Sequence, residues 1–165
     1  MSLIWAVAAV LVGSIGFVVF RGAPYLPTHG KDIRTLLKDL KMSKSDVFVD
    51  LGAGDGALVR AASSKGVISY GYELSPIVFA IAWVRCLRFS KGHMRLADLW
   101  MVRLPSDTTV VYTFLHTRFM GKFDRKMRSE AKRLGHPITV VSYAFEIPGK
   151  RLVRRSGALY FYRYT

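Results

Sequence analysis

The stretch VFVDLGAGDGALVR, residues 47–60, decides the fold. A hydrophobic run reaches Asp50 and is followed by glycines and then by a segment of helical composition from Ala57 onward. The spacing Gly52-x-Gly54-x-x-Ala57 matches the loose pattern G-x-G-x-x-G/A of a strand, a tight turn and a helix. Such a turn holds a nucleotide-type ligand at the carboxyl edge of a sheet. Glycine permits positive φ and close backbone approach, and the free amides of a helix N-terminus favour an anion. Asp50 does not suit a pyrophosphate there. Two unit charges about 4 Å apart interact by about 4 kcal/mol at an effective dielectric of about 20, so an acid at the strand end repels a pyrophosphate. It suits a ligand that brings a cation.

Outward from this turn, strand and helix patterns alternate. KDIRTLLKDLK (31–41) is amphipathic, with Ile33, Leu36, Leu37 and Leu40 on one face. DVFVD (46–50) reads as a short buried strand, ALVRAASSK (57–65) as a helix and VISYGYE (67–73) as a second strand. Ser75 and Pro76 can cap and begin the helix SPIVFAIAWVRCLRF. HMRLAD (93–98), TTVVYTFL (108–115) and ITVVSYAF (138–145) give three more strands, and residues 118–134 a basic amphipathic helix. RLVRRS and ALYFYRY flank Gly157 as a terminal hairpin. The order predicts an α/β fold with helices on both faces of a mostly parallel sheet and an antiparallel edge.

Two further acids fall at predicted strand ends. Glu73 lies 21 residues beyond Gly52 and can accept from ribose hydroxyls, a device that nicotinamide dinucleotide sites share. Asp98, in LADLW, can accept from an adenine amino group while Leu99 packs on the ring. A ligand with adenine, ribose and a cationic centre satisfies all three acids. S-adenosylmethionine, with its ammonium and sulfonium, is such a ligand, and its carboxylate can face the turn's amides.

The chain has 165 residues, consistent with one domain, and a formal charge of +14. That charge favours anionic partners, nucleic acid or acidic lipid headgroups. Cys86 is the only cysteine, so a disulfide within the chain and a multi-cysteine zinc site are excluded; no metal is expected. Residues 2–20, SLIWAVAAVLVGSIGFVVF, carry no charge. As a helix they span about 28 Å, near the hydrocarbon thickness of a bilayer. A signal peptide would need a basic start and a cleavage site, which are not evident. The Arg and Lys residues that follow put the domain on the cytoplasmic side, or in the matrix facing the inner membrane if the protein is mitochondrial. The expected organisation is an anchor over 1–21 in contact with membrane lipid, a connector and helix over 22–45, and the folded domain over 46–165.

DLGAGDG, YGYELSP and LADLW resemble the first three motifs of class I S-adenosylmethionine-dependent methyltransferases. Over residues 24 to about 149, PYLPT, VDLGAGDG, GYELSP, DLW and VVSYAFEIPG are similar to the small membrane-anchored protein-lysine methyltransferases. Those include the enzymes acting on the ATP synthase c-subunit and the adenine nucleotide translocase, with prokaryotic relatives. The resemblance implies a Rossmann-like sheet of seven strands and S-adenosylmethionine as cofactor. It implies cofactor contacts at Asp50, Gly52, Gly54 and Asp55, at Glu73 on ribose and at Leu74 after it, and at Asp98 and Leu99 on the adenine side. Tyr25, Pro27 and Thr28 would fold over the site as a lid. The implied reaction is methylation of a lysine in a membrane protein by a monomer.

One departure bears on the acceptor. Many methyltransferases place Asn/Asp-Pro-Pro-aromatic after the fourth strand, and this chain has YTFLHTRF. Thr113, His116 and Tyr25 are candidate aligners of the amine by position alone, and His116 equally suits a helix cap. Two other readings compete: a methyltransferase on RNA or a lipid-soluble small molecule, for which the basic helix could track phosphates, and a domain that binds the cofactor without catalysis.

Overall fold

The computed structural model describes residues 30–165, together with Trp5. Helix α1 (Gly30–Leu40) precedes β1 (Val47–Leu51), α2 (Ala57–Ser63), β2 (Ile68–Glu73), α3 (Pro76–Cys86) and β3 (Gly92–Leu96). Then come β4 (Val110–Thr113), α4 (Thr117–Leu134), β5 (Ile138–Tyr143), β6 (Arg154–Ser156) and β7 (Leu159–Tyr164). The seven strands form one sheet in the order β3-β2-β1-β4-β5-β7-β6. The first five are parallel neighbours, and β7 runs antiparallel to both β5 and β6. This is the expected Rossmann-like sheet with its antiparallel edge.

Alternation along the central strands builds two cores. On one face Val49, Leu51, Val111, Ile138 and Val140 meet Met120, Phe123, Met127 and Ala131 of α4. On the other, Phe48, Val110, Tyr112 and Val141 meet Leu36 and Leu37 of α1 and Leu58 and Ala62 of α2. A third cluster joins α2 and α3 to β3 through Val59, Ala82, Cys86 and Met94. Asp50 belongs to the α1–α2 side by parity, and it is the one charged residue in the fully buried run of β1.

Two strands are shorter than the pattern suggested. The third stops at Leu96, because Asp98 folds into a turn: its Oδ1 accepts from the Trp100 N–H at 3.0 Å and its carbonyl from the Met101 N–H at 2.9 Å. The fourth runs only from 110 to 113, because Thr108 closes a turn on Pro105 and His116 already caps α4. Ser75 caps α3 through Val78, with Pro76 as its first residue. Among the described residues no helix is long and apolar enough to cross a membrane. The anchor expected over residues 2–20, apart from Trp5, lies outside the described residues, as do Tyr25, Pro27 and Thr28.

Gly71, in the middle of β2, lies where Val59 of α2, Ala53 of the turn and Met94 of β3 converge on the sheet. A Cβ there would lie 2.5 Å from Met94 Sδ, 2.7 Å from Val59 Cγ2 and 2.9 Å from Ala53 Cβ. Gly71→Ala is expected to lower stability by about 1–3 kcal/mol through overpacking. In urea titration this reads as a lower midpoint with an unchanged m-value; an unchanged midpoint would show that the α2–β2 contact is looser than described.

Candidate functional site

The glycine turn is built at the carboxyl end of β1. Gly52, Gly54 and Gly56 have φ of 91°, 53° and 74°, the left-handed region that a Cβ disfavours. The amides of Gly52 and Ala53 both donate to the Tyr72 carbonyl, at 2.9 and 3.0 Å, which ties the turn to β2.

Glu73 closes this connection. Its Oε2 accepts from the Gly54 N–H at 2.9 Å and its Oε1 from the Ser75 N–H at 2.8 Å. One carboxylate therefore fixes both the turn before α2 and the cap residue of α3. Burial raises its pKa, and backbone N–H groups of Ser75, Gly54 and Leu74 oppose that rise by stabilising the anion.

Asp50 is different. It is buried, and its Oδ1 has no hydrogen-bond partner among the described residues. Burial above all, then the nearby charges of Glu73 and Asp55, pushes its pKa up from 3.8 to about 8. A buried carboxylate oxygen without a donor costs on the order of 1–3 kcal/mol. The site thus favours a ligand that brings positive charge or hydrogen-bond donors to this point.

Asp55 is engaged within the fold. Its Oδ1 accepts from the Ala57 N–H at 3.2 Å, at the start of α2. Its Oδ2 pairs with Arg85 at 2.6 Å and lies 3.5 Å from Arg60. It links α2 to α3 beneath the turn. Asp98 sits just past β3, with the turn bonds given above, and Leu74 is half-buried directly after Glu73. Leu99 is buried in the core cluster on the α4 face.

The acceptor side is less regular. Thr113 is fully buried and donates from Oγ1 to the Leu51 carbonyl at 3.0 Å, so it joins β4 to β1. His116 is the N-cap of α4, its Nδ1 accepting from the Arg118 N–H at 3.3 Å. Capping, one of the two readings the sequence allows, is the role its geometry provides.

Sequence reasoning missed an aromatic wall at the carboxyl ends of β4 and β5. The Phe114 ring stacks with Phe145 at 6.2 Å with 7° between planes, and meets Tyr143 edge-on at 5.3 Å. His116 lies 5.6 Å from Phe145. The chain between Tyr143 and Phe145 turns sharply: Ala144 has φ 65°, and the Phe145 N–H bonds the Tyr143 carbonyl at 2.9 Å. A positive φ at a residue with a Cβ is strained, and such strain clusters at functional sites. Ser142 holds the turn by donating to the Phe145 carbonyl at 2.6 Å. The available signal was the aromatic pair in SYAF at a strand end.

The basic face of α4 is largely engaged. Arg118 lies 4.5 Å over Phe119 and Lys122 4.1 Å over Trp100. Arg128 pairs with Asp124 at 2.7 Å, and Lys126 bonds the Val102 carbonyl. Arg133 pairs with Glu130 at 2.5 Å and bonds the Leu104 carbonyl at 2.6 Å.

Comparison with known proteins places this geometry. The profile of the ANTKMT methyltransferase domain matches residues 50–154. The chain is similar to the ATP synthase c-subunit lysine N-methyltransferase of Xenopus laevis, 30% identical over 128 residues, 76% of this chain and 54% of that one. It is similar to a protein-lysine N-methyltransferase of Saccharolobus islandicus, 32% identical over 137 residues, 76% of this chain and 79% of that one. The chain spans about half the length of the ATP synthase c-subunit enzymes it matches. Among solved structures, an RNA methyltransferase from Salinibacter ruber in complex with S-adenosyl-L-homocysteine shares the fold, with a TM-score of 0.71 at 24% identity. The alignment covers 84% of this chain and 92% of that one.

The charge state of Asp50 generates a pH prediction. Its folded pKa of about 8 lies above the unfolded 3.8, so the ligand-free fold holds a proton that the unfolded chain releases. That contribution to stability is complete below about pH 4 and is lost as pH rises through about 8. Melting temperature of the ligand-free protein should fall across this window, and Asp50→Asn should flatten the fall. Glu73, shifted in the same direction, leaves a residual slope. An identical pH profile for wild type and Asp50→Asn would mean that Asp50 is ionised in the folded state.

Proposed function

The chain belongs to the ANTKMT methyltransferase domain family, and from that membership and the site geometry we propose that it binds S-adenosylmethionine and methylates a lysine side chain of a membrane-associated protein. The observation that carries the cofactor is Asp50, a buried acid whose Oδ1 lacks a partner among the described residues, beside a glycine turn. It suits the cationic methionyl end of the methyl donor and opposes a pyrophosphate. Glu73 can take ribose hydroxyls as well, since each carboxylate oxygen accepts more than one hydrogen bond. Gly52 and Gly54 let the backbone approach, Leu74 adds a cofactor contact next to Glu73, Asp98 flanks the adenine side, and Tyr25, Pro27 and Thr28 supply the lid. Asp55 and Leu99 act indirectly, the first by joining α2 to α3 and the second from the core.

When bound, the cofactor would supply a methyl group activated by its attachment to a sulfonium, the neutral thioether being the leaving group. The chain's own residues must align a neutral amine and exclude water. Lysine has an ordinary pKa of about 10.4. The aromatic wall of Phe114, Tyr143 and Phe145 serves both needs. Its ring faces pack against the aliphatic end of a lysine side chain and shut out water, and its apolar surface favours loss of the amine's proton. The strongly basic chain acts in the same direction through its field.

The lysine acceptor is supported by the names of the relatives and by this wall. A membrane setting is supported by the uncharged residues 2–20 and the basic residues after them, and the setting proposed from the positive-inside pattern is the cytoplasmic or matrix side, with the domain acting as a monomer. An RNA acceptor draws less support, because most basic side chains of α4 are engaged by rings, acids and carbonyls of the same domain.

Intact-protein mass spectrometry of membranes from cells with and without this chain tests the reaction. CH₂ mass increments on a membrane protein, mapped to lysine, are expected; increments absent from protein and present on RNA would overturn the proposal. Phe145→Ala should lower kcat/KM for the acceptor about tenfold, equivalent to about 1.4 kcal/mol, with cofactor affinity unchanged. Calorimetry supplies a third check. Placing a cation beside Asp50 lowers its pKa, so binding S-adenosylmethionine near pH 7 should release a proton. The measured enthalpy should then depend on the buffer's ionisation enthalpy in wild type and less so in Asp50→Asn.

A further inference from the structure

Helix α3 is apolar on both its inner and outer faces. Phe79, Ala82 and Cys86, at spacings of 3 and 4, face Ala53, Val59 and Met94 in the core. On the opposite side Ile77, Ile81 and Val84 recur at spacings of 4 and 3, with Arg88 next in the row. These three are 45%, 46% and 60% exposed. Trp83 and Leu87 extend the apolar surface to one flank at 48% and 63%. A helix that is hydrophobic all round belongs in a protein core or a lipid environment. Here the outer face meets neither among the described residues.

The surrounding surface says which partner fits. Leu96, at the edge strand β3, is 50% exposed, and Met101, just beyond it, is 81% exposed. Apart from Trp5, Leu152 and Val153, every large exposed hydrophobic described falls within residues 77–101. Exposed apolar surface concentrated in one segment in this way marks a protein or membrane contact. From Leu74 to Ser106 the chain carries Arg85, Arg88, Lys91, Arg95 and Arg103 against a single acid, Asp98; of these, Arg85 pairs with Asp55 and Lys91 bonds the Gly66 carbonyl. An apolar stripe along one helix, cations on its polar border and a tryptophan on its flank are the features of a helix lying in the headgroup region of an anionic bilayer. Residues 2–20 independently bring an uncharged stretch of bilayer length to the same chain.

We propose that α3, with Leu96 and Met101 beside it, is a docking face that seats the domain on an anionic lipid surface. Ile77, Ile81 and Val84 enter the boundary of the acyl region, while Arg88, next in their row, meets lipid phosphates. Helix α3 begins three residues after Glu73 and is about 16 Å long, so seating it lays the cofactor cleft against the bilayer. A lysine amine emerging from the headgroups would then be within reach. That last consequence rests on the proposed reaction, whereas the docking does not.

The test uses the full chain with Cys86→Ala and an environment-sensitive fluorophore on Val84→Cys, with Lys132→Cys on α4 as the control position. The protein is reconstituted in phosphatidylcholine vesicles with and without phosphatidylglycerol, and in matched vesicles with brominated acyl chains. Docking predicts a blue shift and bromine quenching at position 84, stronger with phosphatidylglycerol, and neither at position 132. Ile77→Asp with Ile81→Asp should abolish the quenching while the far-ultraviolet circular dichroism is unchanged.

In the unlabelled wild-type chain, hydrogen exchange of residues 76–88 should slow on anionic vesicles relative to zwitterionic ones. A label at 84 that stays in water while the protein sediments with vesicles overturns the proposal. So does a blue shift without bromine quenching, which would mean that protein covers α3, whether residues 2–20, a second copy or another partner. None of these readouts requires methyl transfer, so the failure of one proposal is distinguishable from the failure of the other.

Discussion

The site depends on how Glu73 is held. Its two oxygens bind the amides of Gly54 and Ser75, so one side chain at the end of β2 sets the glycine turn and the start of α3 together. Asp55 then fixes the relative position of α2 and α3 through Arg60 and Arg85. This leaves Asp50, at the same turn, with an oxygen that no described residue answers, enclosed by a structure that other acids have made rigid. Burial first, and then the acidic neighbours Glu73 and Asp55, hold its proton. The site is organised around a missing positive charge, and a preorganised deficit of that kind selects a cationic ligand more sharply than the glycines do.

Small size shapes the opposite face of the sheet. Helix α4 covers it with the loop from Ala97 to Thr109 beside it, and that loop has no helix of its own. The loop is stitched down by side chains of α4. Glu130 accepts from the Leu104 amide at 3.0 Å, Arg133 bonds the Leu104 carbonyl, Lys126 bonds the Val102 carbonyl, and Lys122 sits over Trp100. A helix that looks like a phosphate-binding row is therefore, in large part, a set of cations satisfying backbone carbonyls and aromatic faces. The net charge of the chain remains, but its most concentrated stretch has structural work within the domain.

What the sequence made legible follows from which interactions are local. The strand–turn–helix at 47–60, the Ser75-Pro76 start of α3 and the amphipathic periods of α1 and α4 rest on neighbouring residues, so pattern alone placed them. The acids at the sheet edge could be located but their partners could not. Nothing in the local pattern says that Asp55 reaches Arg85, 30 residues away, or that Glu73 would be shared between two backbone amides. The ends of β3 and β4 were overestimated because Asp98, Thr108 and His116 use their side chains on nearby backbone, which competes with strand extension. Thr113 was a candidate aligner because it ends a strand; its hydroxyl instead bonds Leu51, a contact that only strand pairing reveals.

The aromatic wall shows how a long-range constraint can compensate for a missing local motif. No proline follows β4 to position an aromatic residue, and the chain takes a different route to one. Ala144 keeps its amide in the hairpin by donating to the Ala158 carbonyl at 2.8 Å, while its backbone turns through positive φ. The sheet edge and the Ser142 hydroxyl hold the strained residue in place. As a result, Phe145 swings across the end of β5 to stack on Phe114 from β4. Glycine would relieve strain of this kind, which is on the order of 1–3 kcal/mol, but would leave the turn free to move. Alanine limits the alternatives open to the turn, so the orientation of Phe145 is set by the fold before any acceptor arrives. An aromatic surface fixed in advance can align an amine without first being ordered by it, which is what in-line transfer requires of a site with few polar groups on the acceptor side.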